Sequence, residues 1–161
     1  MLHSFNYIAD EHTSTLIIGS MPGIASLEAH QYYAHKQNFF WRFIFEAFNE
    51  NFDNPSYAEK INFLILHRIG LWDAAQTCIR EGSLDSHIKN VVPNDFKVLF
   101  DIHPNISRLL FNGQKAFQLF KHFNGELLYH KQFMILPSTS PANASIPFNK
   151  KKALWIEALN P

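Results

Sequence analysis

The chain has 161 residues, 47% of them hydrophobic and 15% aromatic, with 16 phenylalanines. That length predicts one compact domain over residues 1–161, which buries roughly 70% of its unfolded surface and needs no covalent staples. Fourteen Lys and Arg balance fourteen Asp and Glu, which excludes a disordered polyelectrolyte and a strongly basic coat protein but leaves a local basic surface open.

The start carries no basic, apolar leader, since Asp10 and Glu11 follow the first short run. No stretch approaches the roughly 18 apolar residues of a membrane span, so the expected compartment is the cytoplasm. Thr15 to Ile18 forms the first β-like run, and it breaks at Gly19-Ser20-Met21-Pro22-Gly23. Two glycines and a proline allow either a plain turn or a close backbone approach to a ligand. A phosphate loop is excluded, because no Gly-Lys-Ser/Thr follows.

Next comes Gln31-Tyr32-Tyr33-Ala34-His35-Lys36-Gln37-Asn38, running into the nearly all-aromatic helical stretch 39–48. An aromatic ring beside a free amide suits a flat heterocycle, and an Asn at this position equally suits a helix cap. Residues 57–68 predict a second helix, with Ser56 as cap and Gly70 as stop. Gly70 to Trp72 is the second strand and ends at Asp73. Cys78, the only cysteine, excludes an internal disulfide, a Cys-ligated iron–sulfur cluster and a Cys-rich zinc site. No metal or cofactor is expected.

Residues 95–103 predict a helix between two prolines. Strand 106–111 follows and runs into Asn112-Gly113, which reads either as a turn or as a cleft-facing amide. Residues 113–123 place Ala116, Phe117, Phe120 and Phe123 at helical spacing. The last strand, 133–136, meets Pro137-Ser138-Thr139-Ser140-Pro141-Ala142-Asn143. That stiff loop is rich in hydroxyls and can hold a phosphate backbone. Lys150-Lys151-Lys152 opens the final helix, either as a solvated helix start or as charge beside the loop. Strand–helix alternation of this kind predicts an α/β fold, a three-layer α/β/α sandwich on a four-stranded, mainly parallel sheet. Ligands of such folds bind beyond the carboxyl ends of the strands.

In this order, the segments resemble the uracil-DNA glycosylase superfamily, and most of all its hypoxanthine-DNA (deoxyinosine) glycosylase branch, family six. Gly19-Ser20-Met21-Pro22-Gly23 is similar to the first motif. Tyr33 to Trp41 is similar to the Phe/Tyr-Ala-His-Pro-x-Asn-x-Phe-Trp stretch, with Lys36 in place of the proline. Leu136 to Pro141 resembles the second motif, and Gly70 to Asp73, Gly82 to Asp85 and Phe111 to Gly113 also match. Ser20 stands where most of the superfamily has a water-positioning Asn or Asp, the same loss that marks family six.

The resemblance implies a monofunctional DNA glycosylase that acts as a monomer, with no metal, on DNA containing a deaminated base. Asn38 takes the catalytic role, and Gly19, Ser20, Met21, Tyr33 and Asn112 contact the base. Pro137, Ser138, Thr139, Ser140, Pro141 and Asn143 contact the DNA backbone. His35 is the nearest histidine that can protonate the leaving purine. The alternatives are a uracil- or xanthine-directed member of the same superfamily, and a catalytically silent module that binds DNA or a nucleotide.

Overall fold

The computed structural model describes residues 1–160. In chain order the elements are β1 (Leu2–His3), β2 (Thr15–Gly19), α1 (Ile24–Ala29), α2 (Phe40–Ala47), α3 (Tyr57–Leu66), β3 (Ile69–Asp73), β4 (Ala75–Ile79), β5 (Lys89–Pro93), α4 (Phe96–Ile102), β6 (Arg108–Asn112), α5 (Gln114–Asn124), β7 (Gln132–Leu136) and α6 (Phe148–Leu159). All four expected strands form one sheet in the order β3-β2-β6-β7. Every pairing in it is parallel.

Both faces of this sheet are covered, which is why its strands read as continuous apolar runs. Ile17, Leu71, Leu110 and Leu136 point to one face and pack with Phe40, Phe43, Ile44, Leu64 and Trp155 of α2, α3 and α6. Leu16, Ile18, Leu109 and Phe111 point to the other and meet Phe96, Leu99, Phe100 and Phe120 of α4 and α5. The fold is the expected three-layer sandwich. Side-chain caps start two of its helices: Ser56 accepts from the Glu59 N–H, and Asp95 accepts from the Val98 N–H.

A second, antiparallel sheet, β1-β4-β5, stands beside the first. Sequence periodicity did not disclose it. β5 is mostly solvent-facing, β4 starts two residues after β3 ends, and their pairing carries register shifts. Among the described residues no helix is long and apolar enough to cross a membrane.

The carboxyl end of β7 is tied to α6 by Trp155, whose buried indole N–H donates to the Pro137 carbonyl at 2.8 Å. Trp155→Phe keeps most of the packing but strands that carbonyl. Urea unfolding should show a loss of about 1–3 kcal/mol.

Candidate active site

The parallel register brings the strand ends to one level. Asp73 at the end of β3 lies opposite Gly19 at the end of β2. Phe111 lies opposite Ile18, and Asn112 at the end of β6 lies opposite Leu136. Side chains alternate along a strand, so Asp73, Gly19 and Asn112 share the face of Leu71, Ile17 and Leu110, under α2 and α6. Asp73 is 3% exposed and Asn112 7%. Two polar side chains thus flank a residue with no side chain.

Gly19 has to be glycine. A Cβ there would come within 2.5 Å of Asp73 Oδ1 and 3.0 Å of the Tyr33 hydroxyl oxygen. Tyr33 reaches this point from the loop before α2. Its backbone is left-handed, with φ at 54°, which is uncommon for a bulky residue. Its ring stacks on Phe40 at 3.9 Å between centroids and 21° between planes. The ring is half-buried while its hydroxyl end is enclosed. Burial pushes the hydroxyl's pKa far above its ordinary range; the Asp73 charge adds to that and Asn112 opposes it.

Asp73 is an acid in poor company. Its Oδ2 is buried without a hydrogen-bond partner. Burial and then the neighbouring Asp85 push its pKa from 3.8 up to about 7, while Arg80 pulls the other way. Arg80 does not pair with it: the guanidinium donates to the carbonyls of Gly82, Met21 and Pro22, bracing the first-motif loop from below. Asp85 accepts a 2.6 Å bond from the Ser20 hydroxyl. Burial raises its pKa, and the Ser20 bond, Arg80 and Lys115 moderate the rise. Ser20 is therefore spent on holding the loop. Among the described residues, the backbone N–H groups of Ser20 and Met21 meet no acceptor within the chain.

Thr139 is where the segments join. It is fully buried, its N–H donates to Asn112 Oδ1 and its hydroxyl accepts from Asn112 Nδ2, each at 3.0 Å. Its carbonyl accepts the N–H of Phe39 at 3.2 Å. One threonine therefore fixes the amide of Asn112 and fastens the second-motif loop to the aromatic stretch. Gly113, at φ 96°, allows Ser138 to pack where a Cβ would come within 3.1 Å of its side chain. Asn38 is half-buried and lies one position before Phe39, the N-cap residue of α2; its Oδ1 accepts the Phe40 N–H at 2.9 Å, an auxiliary cap on the first turn. The cap uses one lone pair of that oxygen and leaves the other.

Other residues singled out in the sequence fall differently. Pro137, Ser138, Ser140 and Asn143 are half-buried along the loop surface and Pro141 is exposed. Thr139 points inward, so its part is to hold this loop rather than to meet a phosphate. Of the three lysines, Lys151 is buried and donates to the Asn143 carbonyl. Lys152 pairs with Glu46 at 2.7 Å, and Lys150 is exposed. His35 is exposed, and its Nδ1 accepts the Gln37 N–H at 3.1 Å. Asp73 and Asp85 are the site residues that sequence reasoning missed, although an acid at the end of a buried strand carries the same signal as Asn112. No group of three His, Cys, Asp or Glu placed to hold a metal occurs among the described residues.

Two consequences are measurable. Thr139→Val keeps the shape but leaves an Asn112 N–H without its acceptor, and urea unfolding should show a loss of about 1–3 kcal/mol. Asp73 binds its proton more tightly folded than unfolded, so its contribution to stability is complete below about pH 4 and is lost as pH rises through about 7. Asp73→Asn should accordingly raise the melting temperature at pH 8, and thermal scans should show the gain shrinking towards pH 5.

The model of the uracil DNA glycosylase superfamily matches residues 5–160. A hypoxanthine DNA glycosylase of Methanosarcina barkeri is 36% identical over 154 residues, 96% of this chain and 95% of that one. Another of that name, from Methanosarcina acetivorans, is 37% identical over 147 residues, 91% of each chain. A solution NMR structure from Methanosarcina acetivorans, provisionally assigned as a uracil DNA glycosylase, superimposes with a TM-score of 0.84 at 35% identity, covering 98% of this chain and 96% of that one. A match of this extent places the family beyond the fold alone: the chain belongs to the uracil DNA glycosylase superfamily and is an enzyme of the DNA glycosylase class.

Proposed function

We propose that this glycosylase excises hypoxanthine from deoxyinosine in DNA, hydrolysing the C1′–N9 bond and leaving an abasic site. The similarity to two proteins named for hypoxanthine supports the substrate. The observation that carries the reading is the fixed amide of Asn112 at the buried strand ends, locked by Thr139 on one edge. What is left over, one N–H and one carbonyl lone pair, lies on opposite flanks of the amide. The free N–H can donate to the O6 acceptor of hypoxanthine, where adenine presents an amino donor instead.

The nucleotide is flipped out at a cost of a few kcal/mol, least for a poorly paired base. Phe40 covers one face of Tyr33, and the flipped base stacks on the other, which recovers about 1–3 kcal/mol. On base entry the free Asn112 N–H donates to O6. Negative charge grows on the departing purine, and the unpartnered N–H groups of Ser20 and Met21 stabilise it. Asn38 scarcely binds protons near neutrality. Its second lone pair orients the attacking water, a positional effect.

Pro137, Ser138, Ser140, Pro141 and Asn143 follow the DNA backbone, with Thr139 holding them in place. A single chain supplies every group named here, so the working unit is a monomer.

The test is base release from duplexes carrying one deoxyinosine, deoxyuridine or deoxyxanthosine, read as alkaline strand cleavage. Uracil also presents a carbonyl acceptor that the free Asn112 N–H can meet, so the panel has to include it. Cleavage is expected at deoxyinosine, and its absence with excess folded enzyme overturns the reading. Asn38→Ala should lower excision by about a hundredfold or more while costing about 1 kcal/mol of stability through the lost cap. Asn38→Ser, which keeps a capping oxygen, should recover the stability and not the rate.

A further inference from the structure

We propose that Asp73 is the proton donor of the base pocket, delivering its carboxyl proton to a ring nitrogen of the departing purine. This rests on the hypoxanthine reading above and adds a residue to it.

Position comes first. Asp73 ends β3 directly opposite Gly19 and on the face of the sheet that Asn112 shares. Its Oδ1 and the Tyr33 hydroxyl crowd the one spot above Gly19 where a side chain is missing. A base whose edge reaches Asn112 and whose ring lies on Tyr33 therefore lies beside this carboxyl group.

Company comes second. A buried carboxylate kept for structure is ordinarily satisfied by a cation or by several N–H donors. Asp73 has neither: its Oδ2 is orphaned, and Arg80, the nearest cation, is committed to three backbone carbonyls. The groups that face it are Tyr33 and Tyr32 from the loop before α2, Asp85 from the turn before β5, and Arg80 after β4. Burial and the Asp85 charge favour the protonated form, and the engaged guanidinium opposes them only in part. Near neutral pH the carboxyl group therefore still holds a proton to give.

The step balances without another reagent. As the C1′–N9 bond breaks, its electron pair passes to the purine, and the Asp73 proton goes to N3 or N7. The water oxygen oriented by Asn38 bonds to C1′, and its surplus proton returns to the Asp73 carboxylate. One water is consumed, and one purine and one abasic sugar are formed. His35 is exposed and engaged by the Gln37 N–H, whereas Asp73 is buried at the strand ends.

The experiment is single-turnover excision of deoxyinosine between pH 5 and pH 9 by the wild-type chain, Asp73→Asn and Asp73→Ser, with duplex binding and melting temperature measured alongside. The wild-type rate should fall about tenfold per pH unit above about pH 7. Asp73→Asn should be slower by about a hundredfold or more, lose that alkaline limb, and bind the inosine duplex as the wild type does. Asp73→Ser gives the same comparison if the Asn variant folds poorly. A folded variant that keeps both the rate and the limb overturns the role of Asp73 alone. A wild-type rate that stays flat to pH 9 does the same and needs no variant. No inosine cleavage by the wild type overturns the hypoxanthine reading itself, and the donor role with it.

Discussion

Four parallel strands that end in step impose one constraint on everything above them. β2 is flanked on both sides, so the space over its last residue is crowded by the last residues of β3 and β6. Gly19 relieves that crowding and at once makes it useful. Without a Cβ between them, a carboxyl group, a carboxamide and a phenol converge at one buried point. A methyl group there would push the acid aside and lift Tyr33 off its stack on Phe40. The site is thus a consequence of sheet register, with one omitted side chain marking its centre.

A floor of this kind works against folding. A buried acid with an orphaned oxygen and a tyrosine held left-handed both raise the free energy of the native state. They persist because their surroundings leave them nowhere else to go. Aromatic packing presses Tyr33 onto Phe40, and Phe40 in turn meets Trp41 and Trp155 edge-on. Arg80 anchors the first-motif loop through its carbonyls, and Thr139 anchors the second through Asn112 and Phe39. The abundant phenylalanine of this chain accordingly has a functional consequence one step removed. Its rigidity holds polar groups in positions they would not choose.

The main sheet was legible because its strands are buried on both faces, and continuous apolar runs such as Leu16-Ile17-Ile18 have few other readings. The antiparallel sheet was not, because β5 alternates little and faces solvent. Site residues divided along a different line. Asn112 and Tyr33 stood out as polar or aromatic groups beside glycine and at strand ends. Asp73 occupied an equivalent position, yet an acid after an apolar run reads most simply as a stop signal. What distinguishes it is the absence of any partner, a property of the packed chain and not of its neighbours in sequence. Thr139 and Lys151 were hidden for the opposite reason. Their residue types suggest a surface, and only tertiary packing turns them inward.

The structural bond of Asn38 and the catalytic role proposed for it are compatible. As a cap it gives a lone pair to the Phe40 N–H and starts α2. That same bond decides which end of the amide faces which way, since the carbonyl oxygen must lie at the helix start. In the proposed mechanism a water held by the remaining lone pair is therefore placed relative to α2, and so relative to Phe40 and the Tyr33 ring stacked on it. The Thr139 carbonyl pins the next residue, Phe39, to the loop that also fixes Asn112. In that mechanism water and base are referred to the same rigid frame, with loop mobility removed from the distance between them. A structural cap is then a condition for a positional catalyst, because an amide that cannot exchange protons has only its placement to contribute.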